Sequence, residues 1–280
     1  MLYFPIIGSF LEAVGTVLQK KILKEKEINY RNYSAFEFFF IVLLSIPFIY
    51  FMWGIERDAF LLRNVLIFAS IVIVSVVANL VIAYSLKRED ISEFEPIWLM
   101  QPLFTILLAF IFFENERNWN IFALSLIASL SLIFSHVKKS HLVFNRYSIA
   151  TLIGSFLFAL ELVLSNFILG FYSPFVFYFL RCLFIFLIIF LVFRPSFKIL
   201  KSKTGWLMAL IGLIWIFYRA IIYYGYTNIG VVYTTLLFIL SAVFIFLFAI
   251  VFLKEKPKAG QIVSAIIIVI CVVLSWFIGK

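Results

Sequence analysis

Residues 153–169 read IGSFLFALELVLSNFIL, and residues 7–23 read IGSFLEAVGTVLQKKIL. Laid over each other without gaps, the two agree at 10 of 17 positions. The chain is rich in Phe, Ile and Leu, but that richness alone gives far fewer matches. An echo at a fixed distance marks an internally duplicated chain. Each copy carries one acid in an apolar helix, Glu12 in the first and Glu161 in the second. A carboxylate inside a membrane span costs about 2.5–3.5 kcal/mol on insertion scales, so both acids are functional-site candidates.

Composition agrees with that setting. Of 280 residues, 65% are hydrophobic and 13% charged, and the mean hydropathy is +1.14. A soluble domain has more polar surface than this chain supplies. The net charge of +9 suggests nucleic acid at first sight. The basic residues, however, sit in short loops between apolar spans, which is membrane topology rather than a phosphate-tracking face. The expected partners are the lipid bilayer and a small-molecule substrate, not nucleic acid. Cys182 and Cys271 lie inside apolar runs and read as packing residues. The N-terminus lacks a basic leader, so the first span is expected to stay in the membrane.

A span needs about 20 predominantly apolar residues. Ten such runs are present: Tyr3–Lys20, Tyr33–Trp53, Arg63–Leu86, Ile91–Phe113, Trp119–Val137, Tyr147–Gly170, Ser173–Phe193, Gly205–Tyr226, Gly230–Leu253 and Ala259–Ile278. Further echoes recur at a spacing of 139. Tyr33-Ser34-Ala35-Phe36 answers Tyr172-Ser173-Pro174-Phe175, and Phe113-Glu114-Asn115-Glu116-Arg117 answers Phe252-Leu253-Lys254-Glu255-Lys256. The layout is therefore five plus five helices, with repeats at 1–140 and 141–280. An odd number of spans per repeat turns the second upside down relative to the first, the inverted-repeat pattern of secondary transporters. The fold class is an all-α membrane protein. Loops after odd spans carry 17 Lys and Arg and loops on the other face carry four. That bias places the odd loops in the cytoplasm and both termini outside.

Charged groups inside the spans cluster at one level. At ~1.5 Å per residue from the face bearing the termini, Glu12 and Glu161 lie ~14 Å deep, Arg181 ~12 Å and Arg219 ~10 Å. Glu37 is only ~6 Å from the opposite face, where water is within reach. At 100° per residue, helix faces follow. Gly8, Glu12, Gly15 and Gln19 share one, and Gly154, Phe158, Glu161 and Ser165 another. Arg219, Tyr223 and Tyr226 share a third; Glu95, Leu99, Pro102 and Thr105 share a fourth, with Gln101 beside it. Thr234 and Ser241 share a face of span nine, and span three offers Asn79 and Tyr84.

Each of these also has a structural reading. Glu161 pairs with Arg181 or Arg219 to lock the second half, or it meets substrate. Glu12 is a protonated, hydrogen-bonded carboxyl, or a charge that resets during transport. Gly8, Gly15 and Gly154 read as close helix contacts. Pro102, Thr105 and Ser241 read as kink residues, and Glu116 and Glu255 as caps or partners of basic loop residues. Two Glu face two Arg at the common level, and Glu37 leaves one acid over. Either one acid takes a proton or cation, or the site balances only with a ligand. Two arginines suit an anionic or zwitterionic substrate. The many aromatics, 20% of the chain, suit a flat ring or a cation held through its π face; the sequence does not choose between them.

Three local patterns carry a family resemblance. Ser173 to Arg181 reads Ser-Pro-Phe-Val-Phe-Tyr-Phe-Leu-Arg. Gln101-Pro102-Leu103-Phe104 runs on to Glu116-Arg117. Lys254-Glu255-Lys256-Pro257 is followed by Gln261. Together with the duplicated layout they resemble the drug/metabolite transporter superfamily, EamA-type branch. Ala35 and Val42 stand in the first repeat where Pro174 and Arg181 stand in the second, and Ser241 replaces the proline matched by Pro102. The resemblance implies movement of small metabolites, amino acids, sugar derivatives or drugs, by exchange or with a coupled ion. The expectation is a secondary transporter of a small metabolite such as an amino acid or organic acid, in the plasma membrane, working by alternating access. Its substrate site is expected at Glu161, Arg219, Glu12, Arg181, Tyr223, Asn79, Gln101 and Thr234. No cofactor or metal is expected beyond a coupled proton or cation. The competing class is a lipid flippase or a membrane-embedded enzyme. Against an enzyme, the sequence has no Asp-rich metal motif, and His136 and His141 sit near a loop rather than as a ligand pair.

Overall fold

In hydrocarbon, every backbone donor and acceptor must bond within the protein, so apolar runs close into helices. The computed structural model describes residues 3–23, 28–88, 94, 97–136, 145–195, 203–253 and 259–278. Its helices are α1 (Tyr3–Leu23), α2 (Tyr30–Met52), α3 (Leu62–Arg88), α4 (Met100–Phe112), α5 (Trp119–His136), α6 (Arg146–Ile168), α7 (Pro174–Phe193), α8 (Lys203–Ile229), α9 (Val231–Phe238), α10 (Leu240–Leu253) and α11 (Ala259–Ile278). By length and composition α2, α3, α6, α7, α8 and α11 suffice to cross a membrane. Shorter apolar helices and the 21-residue α1 complete the ten spans. The chain is a multi-pass helical membrane protein. Glu95, Glu255, Pro257, His141 and several loop basics (Lys24, Lys26, Lys138, Lys139, Lys198, Lys201, Lys254, Lys256, Lys258 and Lys280) lie outside the described residues, as do Glu25 and Glu27.

Local signals set the helix ends. Asn29 and Asn145 stand at N-caps, their side chains accepting amides at the start of α2 and α6. Ser173 caps α7 through the Val176 amide, with Pro174 in the first turn where its missing N–H costs nothing. At one face the loops after α2 and α6 meet in a short antiparallel bridge, Ile55 to Tyr172. There the Glu56 amide donates to the Phe171 carbonyl at 2.8 Å and the Ser173 amide to that of Gly54 at 2.9 Å.

The two repeats are interleaved. In the first, α3 lies on α6; in exchange, α8 of the second lies on α1. Likewise α4 lies on α6, and α9 with α10 on α1. The pairs α2–α7 and α5–α11 each join equivalent helices. Exchanging the halves therefore reproduces the pairing pattern, as a two-fold axis between inverted repeats requires. The interior belongs to α6 and α8, whose apolar windows are 50% and 56% buried against 22% for α11.

Spans four and nine depart from the expected continuous helices. Span nine, read as Gly230–Leu253, breaks at Ile239 between α9 and α10. Span four, read as Ile91–Phe113, is helical at Ile97 and Trp98, turns at Leu99 and resumes as α4. The two breaks are 140 residues apart. Pro102 explains the first, since its ring removes an amide from the ladder. No proline stands at the second.

Each break is met by a serine from the other repeat. Ser9 donates to the Leu237 carbonyl at 3.1 Å and Ser155 to that of Ile97 at 3.2 Å. Each hydroxyl also lies against the carbonyl four residues back in its own helix, Pro5 or Thr151. The preceding glycines make room. A Cβ on Gly8 would run into the Phe238 ring beside the break in span nine, and one on Gly154 into the Ile82 side chain of α3. The Ile-Gly-Ser-Phe echo is thus a clasp used twice. Ser9→Ala and Ser155→Ala are each expected to lower stability by about 0.5–1.5 kcal/mol, and the double change by roughly the sum. Thermal unfolding in detergent checks this; unchanged midpoints would mean that the carbonyls at the breaks are satisfied without the hydroxyls.

Candidate functional site

Glu161 sits at the middle of α6 with 0% exposure, so its charge must be met from within the protein. Three donors converge on Oε1. Arg181 Nη1 of α7 bonds it directly, Ser165 reaches it from one turn along α6 at 3.1 Å, and the Tyr223 hydroxyl of α8 reaches it at 3.3 Å. Oε2 faces Arg219 Nη1 of α8 at 3.6 Å, close enough for an ion pair but not for a hydrogen bond. Glu161 Oε2, Arg219 Nη1 and Arg181 Nε are all buried without a hydrogen-bond partner.

The two cations are also held by ring faces. The Arg181 guanidinium lies 5.2 Å from the centre of Tyr178 and 5.9 Å from that of Tyr223. That of Arg219 lies 5.8 Å from Tyr218 and 5.9 Å from Phe158. Such contacts hold a desolvated cation in place without consuming its N–H groups.

The acid of the first repeat comes to the same place from the other side. Glu12 on α1 has the Tyr218 and Ser241 side chains beside it and lies in the field of Arg219. Arg219 is therefore shared by both repeats' acids, directly with Glu161 and at longer range with Glu12. Glu161 with its two arginines carries one net positive charge, and Glu12 restores neutrality. Whether Glu161 pairs with Arg181 or Arg219 has a definite answer: with both, unequally.

Among the described residues, no group of three or more His, Cys, Asp or Glu side chains is placed to hold a metal ion. No curated protein matches the sequence. A solved crystal structure superposes over 99% of this chain and 96% of its own, with a TM-score of 0.72 at 13% identity, which is a likeness of fold alone. The model of the EamA-like transporter family matches residues 1–136 and again 145–277. The chain belongs to the EamA-like transporter family. That family is part of the drug/metabolite transporter superfamily, and its members are membrane transporters rather than enzymes.

In this EamA-like transporter the structure joins Glu161, Arg181, Arg219 and Tyr223 in one bonded group and sets Glu12 beside it. Thr234 lies on α9 with 0% exposure, its hydroxyl unpartnered and packed on Gly225 of α8. Asn79 and Gln101 stand apart. The Asn79 amide donates to the Ser75 carbonyl at 2.8 Å, and Gln101 bonds Thr105 within α4 at 3.4 Å. Neither bonds the Glu161 group among the described residues. Glu37 differs from the expectation of a carboxylate near water. It is 7% exposed and accepts from Tyr33 at 3.0 Å and from Trp215 Nε1 of α8 at 2.9 Å. Nothing in the sequence singles out Tyr218, and Ser241 reads from it as a kink residue on the Thr234 face of span nine rather than as a neighbour of Glu12. Both would have surfaced from asking what meets Glu12, because Tyr218 adjoins Arg219 and Ser241 faces across the break in span nine. Cys182 and Cys271 are free and buried.

Proposed function

We propose that the protein is a secondary transporter that carries a small carboxylate-bearing metabolite, such as an amino acid or organic acid, across the cell membrane by alternating access. The observation that carries this reading is the unsaturated Arg219 guanidinium beside an equally unsaturated Glu161 oxygen, in a buried place reached by both repeats. Buried polar groups are normally satisfied, so open valences at a charged centre favour a ligand that completes them. A substrate carboxylate suits the fork of Arg219. Repeats dividing near residue 140 rock about this centre, with odd loops in the cytoplasm and both termini outside.

Charge balance supports coupling to a proton. With Glu12 ionised, two acids meet two arginines and an incoming anion is surplus. With a proton on Glu12, the group carries one net positive charge that a carboxylate neutralises. Proton and monocarboxylate then travel as a neutral pair. In proteoliposomes, an imposed pH gradient is expected to drive carboxylate uptake. Glu12→Gln is expected to leave carboxylate exchange intact and to abolish pH-driven accumulation. Equal accumulation by wild type and the Gln variant would remove Glu12 from the coupling step. Absence of flux for any amino or organic acid, with turnover or scrambling of lipid instead, would overturn the transporter reading in favour of a lipid-handling protein.

A further inference from the structure

The turn that ends α4 reaches into the other repeat. It is a 3-10 turn, Glu114–Glu116, and its last side chain is 9% exposed. Glu116 Oε1 accepts from the Val231 amide at 2.6 Å and Oε2 from the Val232 amide at 3.2 Å. These are the first amides of α9, which have no acceptor within their own helix. The cap position, Gly230, offers no side chain of its own. Its φ is +90°, and a Cβ there would stand 2.7 Å from both Glu116 carboxylate oxygens. The cap is therefore supplied from the opposite repeat, and negative charge is favoured at that end of the helix.

The neighbouring charges turn away. Arg117 pairs with Glu114 at 3.5 Å and points its remaining donors at the carbonyls of Phe110 and Ile111. Among the described residues, Tyr226 of α8 also lies in the field of Glu116. The helix held in this way carries Thr234 and runs to the break where Phe238 and Leu237 meet α1. Glu116 lies in a loop after an even span, on the face that bears the termini.

We propose that Glu116 is a gating residue: its carboxylate latches α4 of the first repeat to α9 of the second, and its release opens the central site to the face bearing the termini. The inference rests on the alternating-access reading. Two helices of opposite repeats that must part on one face are held there by bonds to a charge, and such bonds are about twice as strong as neutral ones. Burial pushes the Glu116 carboxyl above the ordinary carboxylate range, and the two amide bonds pull it back part of the way. As pH falls through that raised range, a proton removes the charge that holds the amides, so acid favours release.

The test uses the full chain with Cys182 and Cys271 replaced by Ala and T234C as reporter, in vesicles of known orientation. A membrane-impermeant thiol reagent is applied to each face in turn. E116Q is expected to speed labelling from the face bearing the termini by roughly tenfold, the effect of one charge-assisted hydrogen bond on an opening equilibrium. Labelling of the Glu116 parent rises on acidification, and that of E116Q stays flat. G230A, which displaces the carboxylate without altering its charge, gives the same acceleration by a second route. Unchanged labelling in both variants, or equal acceleration from both faces as a loosened fold gives, overturns the latch. The two readings fail separately. Labelling that changes face with substrate in the parent but ignores E116Q keeps alternating access and removes the latch. Labelling from one face in every condition, yet faster in E116Q, keeps the latch and removes alternating access.

Discussion

Glu161→Gln is expected to abolish substrate-driven flux and to lower the thermal midpoint of the protein together. The Gln carbonyl still receives the Arg181 donor, but the charge that balances Arg181 and Arg219 is gone. Both guanidiniums are then buried beside each other with no acid in contact, because Glu12 touches neither directly. Breaking a buried ion pair by removing one partner costs about 3–5 kcal/mol, or roughly 6–12 °C in midpoint for a chain of this size. Flux in proteoliposomes and unfolding in detergent are the two measurements. Glu161→Asp, which keeps the charge but shortens the reach, separates them: stability recovers in part, while flux does not. A Gln variant that transports normally would show that Glu161 is a structural anchor with no part in transport.

Arg219→Gln is expected to behave differently, losing substrate affinity by about 30-fold or more with little loss of stability. The magnitude is that of truncating one partner of a buried charge pair, about 2–5 kcal/mol. Stability is spared because Arg181, Ser165 and Tyr223 still satisfy Glu161 Oε1. Arg181→Gln reverses the pattern, since that residue supplies the direct bond and sits at 2% exposure. The decisive measurement is a thermal-shift titration with amino and organic acids, because a ligand of the native state raises its apparent stability. Wild-type protein shifts with carboxylates, and Arg219→Gln shifts only at far higher concentration. If organic cations shift both proteins equally and carboxylates shift neither, Arg219 is not a substrate contact.

Much of the architecture was readable from the residues because it follows from bulk chemistry. Ten apolar runs and three echoes at nearly constant spacing leave little besides a duplicated helical bundle. That Glu12, Glu161, Arg181 and Arg219 deserve to be considered together was readable for a similar reason, since an ionisable group in hydrocarbon cannot be incidental. What could not be read was who meets whom. Periodicity assigns a face to Asn79 and Gln101, but each of those side chains bonds its own helix. The break at Ile239 has no proline to announce it, and its stabilising donor, Ser9, is 228 residues away in sequence. Glu116 was legible as a helix cap, but its own helix was the natural candidate, not one 115 residues on. Nothing in the sequence singles out Trp215, and only the fold sets its indole N–H on Glu37.

The paired serines also govern how this chain comes into being. During synthesis the first five spans emerge first, and at that moment the Ile97 carbonyl has no hydroxyl to meet it, because Ser155 has not yet been translated. The donor for Leu237, by contrast, is among the earliest residues made and waits until nearly the last helix arrives. Neither repeat can therefore finish its interior alone. Separately expressed halves are expected to reach their mature state only when produced together in one bilayer.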